Sequence, residues 1–161
     1  MSDPWPAPDD FLARFQRKVA ANAAAWQAFL QEEGHDPAAL DRELANLSKA
    51  AQQALLEPLA WEAGLDLVGA AWRHAELRGY WQEWQQLLAQ GLEVSRQAGR
   101  ANFQALLLDQ LGEASRLAGE NSAAAAHFQA SLALFRALGD QGGAARALSH
   151  LSQVQLALND W

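Results

Sequence analysis

Apolar residues recur three and four positions apart along almost the whole chain, the spacing of one buried helix face. Phe11, Leu12, Phe15, Val19, Trp26, Phe29 and Leu30 form the first such stripe. Asp9 or Asp10 stands where a capping acid meets the positive end of that helix, and Gly34 stands where the helix should stop. Asp36-Pro37 is a restart signal, a capping acid followed by proline at the first helical position. Leu40, Leu44, Leu47, Ala51, Ala54 and Leu55 form the second stripe. Pro58 breaks it, because proline inside a helix costs about 3 kcal/mol. A third helix is predicted over about 59–78.

From that point the pattern repeats. Gly79 recurs as Gly119, an offset of 119 − 79 = 40 residues, and Asn159 takes the same place one period on. Gly99 recurs as Gly139, Leu92 as Leu132, Leu108 as Leu148 and Leu111 as Leu151; Trp81 returns as Trp161 two periods later. Each small residue suits a left-handed position just past a helix end. Each period therefore holds two helices: 59–78 with 82–98, then 101–118 with 122–138. A helix over 142–158 opens a third pair. Repeats of this length built from paired helices stack as solenoids. The chain divides into a flexible arm (1–8), an N-terminal helical hairpin (9–58) and repeats over 59–98, 99–138 and an incomplete 139–161.

Composition narrows the function. The 161 residues are 50% hydrophobic, enough for a core, and lack cysteine, so disulfides and thiolate metal sites are excluded. Net charge is −7, and no part of the chain forms a basic arm, so a phosphate backbone would be repelled. Neither a membrane span nor a secretory signal is expected from the pattern, and a cytoplasmic location is expected. No nucleic-acid and no membrane partner is expected.

The stretch Leu111-Gly112-Glu113-Ala114-Ser115-Arg116-Leu117-Ala118-Gly119-Glu120-Asn121 resembles the first helix and turn of a tetratricopeptide repeat (TPR). Ala124, Phe128 and Ser131-Leu132 fall where the second helix of that family carries its small, aromatic and small residues. Leu134-Phe135-Arg136-Ala137-Leu138-Gly139-Asp140 looks like the ending of the longer variants. The first repeat departs from the pattern, with Trp72 in place of Gly112 and Trp84 in place of Ala124, and the closing proline of many such repeats is absent. More broadly, Leu40–Leu47, Ala70–Trp72 and Arg78–Trp84 look like the helical region of bacterial MalT-like signal-transduction ATPases. The chain lacks their Gly-x-x-x-x-Gly-Lys-Ser/Thr loop, so no nucleotide chemistry carries over.

The resemblance implies an all-α fold of antiparallel helix hairpins stacked as a right-handed TPR-like solenoid. It implies a protein-interaction module that binds a peptide or helix in a concave groove. The alternative is a ligand- or signal-sensing domain of a larger bacterial regulator. In such a fold the first helices of successive pairs line the groove. That places Arg73, Glu76 and Leu77 there from the first pair, and Leu106, Asp109, Glu113, Arg116 and Leu117 from the second. Arg146 and Gln153 come from the third. The last helix lacks a partner, so the chain is expected to be part of a longer protein or to self-associate through the uncapped C-terminal repeat.

Enzymatic chemistry is not expected. His35, His74, His127 and His150 are read as isolated, without converging ligands for a metal. No Gly-x-Ser-x-Gly elbow occurs, and Gly139-Asp140-Gln141-Gly142-Gly143 lies between two helices, where a phosphate loop would follow a strand. No cofactor is implied. Trp72 and Trp84 fall on packing faces; Trp81 and Trp161 lie at turns and Trp5 in the arm.

Overall fold

A computed structural model describes residues 8–32 and 36–159 of the chain. Seven helices and no strand occur among the described residues: α1 Pro8–Glu32, α2 Pro37–Leu55, α3 Trp61–Leu77, α4 Trp81–Gln97, α5 Ala101–Leu117, α6 Asn121–Leu138 and α7 Gln141–Asn159. The fold is all-α. Trp5, Gly34, His35 and Trp161 lie outside the described residues, as do the side chains of Asp9 and Asp10.

The chain forms two compact units, Met1–Leu67 and Val68–Trp161. The division falls inside α3. The reason lies in what each half of α3 touches. Its early turns belong with α1 and α2: Gln27 donates to Asp66 at 3.1 Å, and a Cβ on Gly64 would sit 2.8 Å from the backbone nitrogen of Leu55. Its later turns belong with α4 and α5. The Val68 carbonyl accepts from the Trp84 indole at 3.2 Å, and the Gly69 carbonyl accepts from the Gln110 amide at 3.2 Å.

In the first unit, Asp36 caps α2 by accepting from the Ala38 backbone N–H at 2.9 Å, with Pro37 in the first turn. Every residue of the second predicted stripe is buried. The backbone then turns over Leu56–Ala60 before α3 begins, two residues later than the pattern predicts. The α1 stripe is only half realised. Val19 and Ala23 are buried, and Trp26 and Phe29 meet edge to face at 5.4 Å, but Phe11, Leu12 and Phe15 are exposed.

In the second unit the helix ends recur every 20 residues. Gly79, Gly99, Gly119 and Gly139 all have positive φ, at 81°, 65°, 78° and 73°. At each, the glycine N–H bonds back three residues and the next N–H bonds back five, the paired bonds of a Schellman turn. At Gly119 these are to Arg116 at 3.0 Å and from Glu120 to Ser115 at 2.9 Å. An added Cβ at Gly119 would meet nothing within 4 Å, so Gly119→Ala isolates the backbone cost. A loss of about 1–2 kcal/mol is expected in urea denaturation, the penalty of a left-handed L-residue. An unchanged midpoint would show that the turn relaxes.

The core of this unit joins α5, α6 and α7 through Ala105, Ala124, Phe128, Leu132, Phe135, Ala147, Leu151 and Val154. Trp84, 2% exposed, stands where the chain has Ala124 one period later. Ser131, also buried, donates to the Ala105 carbonyl at 2.8 Å, which satisfies its hydroxyl across the α5–α6 contact.

Candidate functional site: a charged cleft on the second unit

Helical spacing brings one face of three helices to a common cleft. On α5, Leu106, Asp109, Gln110 and Glu113 are separated by three, four and seven positions and share one face. Trp72, Arg73, Glu76 and Leu77 of α3 and Arg146 and His150 of α7 complete the lining. The cavity volume is about 410 Å3.

The floor is a buried carboxylate and a buried amide. Asp109 is 4% exposed and Gln110 7%. Asp109 Oδ2 accepts from Arg146 Nε at 2.7 Å, and its Oδ1 lies 3.4 Å from His150 Nδ1. That second separation is too long to close a hydrogen bond, and both Oδ1 and Nδ1 are buried without a hydrogen-bond partner. The contact is therefore an electrostatic one. Gln110 holds the Gly69 carbonyl with its Nε2, which leaves its Oε1 a buried acceptor with no hydrogen-bond partner.

Two acids differ in how they are compensated. Glu113 takes a bidentate pair from Arg116, at 2.9 and 2.7 Å. Glu76 stands in the cleft wall, and burial followed by repulsion from Glu113 pushes its carboxyl above the usual range, against the pull of Arg116, Arg73 and His150. His150 moves upward too. Its contact with the Asp109 carboxylate outweighs burial, and Glu113 adds to the rise while Arg146 opposes it. The imidazole also tilts over Phe128 with ring centroids 5.0 Å apart, and the Arg146 guanidinium lies 5.6 Å over the Phe135 ring.

Of the ten groove residues expected from sequence, Arg73, Glu76, Leu77, Leu106, Asp109, Glu113 and Arg146 line this cleft. Arg116, Leu117 and Gln153 do not. The Arg116 guanidinium is turned onto Glu113, Leu117 sits in the last turn of α5 beside the Gly119 cap, and Gln153 is exposed one turn beyond His150. Leu77 is 74% exposed and forms a rim, not a floor.

Three lining residues, Trp72, Gln110 and His150, are not among those the sequence places in the groove. Trp72 is both packed and presented to the cleft. Gln110 is uncharged, and only its place between Asp109 and Glu113 marks it. Along its own helix His150 has no acidic or histidine neighbour three or four positions away. Its partner is on α5, about one repeat away.

Among the described residues, no helix is long and apolar enough to cross a membrane, and no group of three or more His, Asp or Glu converges for a metal ion. No family model matches the chain, and neither a curated protein nor a solved structure shows significant similarity to it.

Proposed function

We propose that the chain is a protein-interaction module of tetratricopeptide-type helix pairs that binds a peptide segment in the α3–α5–α7 cleft. The observation that carries this reading is the set of contacts between alternate helices. Gln110 reaches Gly69, Arg146 reaches Asp109, and His150 faces Asp109, each close to one period apart. Those contacts support the stacking of successive first helices along one face. The cleft is at the small end of the ~300–1,000 Å3 typical of ligand sites. Side chains of an extended peptide fit that volume better than a whole helix does.

Selection of displayed random peptides against the full chain tests the reading. Selected sequences should bind in the micromolar range. They should weaken by about tenfold or more on Arg73→Glu/Leu77→Asp, the loss expected when rim contacts of a small interface are removed. Both positions are exposed, so the fold should survive the change, and circular dichroism checks that it does. Selection of no peptide would move the assignment to the sensing domain of a larger regulator. Selection of peptides indifferent to the double variant would move the binding face elsewhere.

A further inference from the structure

The chemistry of the cleft is asymmetric. Its cations are already engaged or stand at the edge: Arg116 is tied to Glu113, Arg146 and, when protonated, His150 to Asp109, and Arg73 is exposed on the wall of α3. Its acceptors are in excess. Glu76 and Glu113 both line the cleft and repel each other, and Gln110 Oε1 sits recessed in the floor with no hydrogen-bond partner, while Asp109 Oδ1 meets His150 Nδ1 at 3.4 Å. Both floor residues are more than nine-tenths buried. Lone pairs in so poorly solvated a place act over longer range than they would in water, because screening is weak there. A second anion entering the cleft would add to a repulsion that Glu76 and Glu113 already share. A positive, N–H-donating group would relieve it.

Resting on the reading of this cleft as a peptide site, we propose that it takes a basic side chain, arginine or lysine, of an extended partner segment, with the cationic head group held against Glu76 at the mouth of the Asp109–Gln110 floor. The planar faces and aliphatic stem of such a side chain also suit the apolar part of the lining. Trp72 and Leu106 flank the floor, and a long basic side chain covers apolar surface with its methylenes while its head group stays hydrogen-bonded. Arg73 and Arg146 stand on either side as cations. They disfavour a run of basic residues and favour a single one.

The test uses small probes of defined charge on the full chain, followed by NMR. N-acetyl-arginine amide and N-acetyl-lysine amide should shift the side-chain amide of Gln110 and the methyl groups of Leu106. The neutral isostere N-acetyl-citrulline amide should not shift them. Glu76→Gln should weaken the arginine probe by about fivefold, the effect of one partly solvated ion pair. Equal shifts from citrulline, stronger shifts from N-acetyl-glutamate amide, or retention of full arginine affinity in Glu76→Gln would each overturn the proposal.

The peptide selection separates the two levels of inference. Cleft-binding peptides without a conserved basic residue would defeat the charge assignment and leave the interaction module standing. Arginine binding with no selectable peptide would defeat the module and leave a cleft for a small cationic ligand.

Discussion

Phe128→Ala is expected to lower the stability of the second unit by about 3–5 kcal/mol, the range for removing a buried aromatic side chain. Phe128 is fully buried and lies in a cluster that joins α5, α6 and α7. It also sets the identity of Gly112. A Cβ on that glycine would stand 2.6 Å from Phe128 Cε1 and 2.7 Å from Cδ1. The ring is enclosed and cannot swing aside as a flexible surface chain would, so Gly112→Ala alone should cost about 1–3 kcal/mol through overpacking. The two changes should not add. With the ring gone, the new methyl at position 112 enters space that Phe128 has vacated, and the double variant should be less destabilised than the sum of the singles. Guanidinium denaturation of the four members of this cycle measures the coupling. Additive losses would mean that the α5–α6 approach is set by other contacts.

The same pair explains why this part of the fold was legible. A glycine inside a helix is a local liability of nearly 1 kcal/mol relative to alanine. Its place beside a stripe of leucines, with an aromatic one helix later, is a packing instruction that a one-dimensional reading can recover. The helix ends at Gly79, Gly99, Gly119 and Gly139 were equally legible, because positive φ confines the choice of residue. Legibility failed where the outcome depended on a distant surface. The α1 stripe has helical spacing from Phe11 onward, yet Phe11 is 65% exposed while Val19 is buried. Periodicity shows that one face is apolar and cannot show how far along the helix a neighbour extends. The cleft divides in the same way. Spacing selects the residues that share a helix face, and the resemblance implies which helices present those faces to one groove. The Asp109–His150 approach and the orphaned Gln110 acceptor depend on side-chain placement across helices, which no spacing rule encodes.

That cross-helix contact makes the second large prediction one of pH. His150 binds its proton more tightly in the folded chain than an ordinary imidazole does, chiefly because of Asp109. Its attraction to Asp109 therefore stabilises fully below about pH 6.5, the unfolded imidazole value, and is lost as pH rises through the higher folded value. Arg146 competes for the same carboxylate and repels the imidazolium. Arg146→Ala removes the hydrogen bond to Asp109 Oδ2 and leaves a carboxylate that is 6% exposed with His150 as its remaining partner. Losing a charged hydrogen bond costs about 1.5–3 kcal/mol, and the full loss should appear at a pH above the raised folded value of His150, where the imidazole is neutral. Near pH 6 the loss should be smaller, since a protonated His150 compensates Asp109 and is released from the repulsion of Arg146. The Phe135 contact of Arg146 is lost equally at both values and does not contribute to the difference. In a His150→Gln background the cost of Arg146→Ala should become independent of pH. Urea titrations of the wild type, the two single variants and the double variant at both pH values provide the comparison. A cost for Arg146→Ala that is equal at the two pH values with His150 present would mean that the imidazole does not answer to Asp109, and the cleft floor would then be a simple ion pair with a histidine lying beside it.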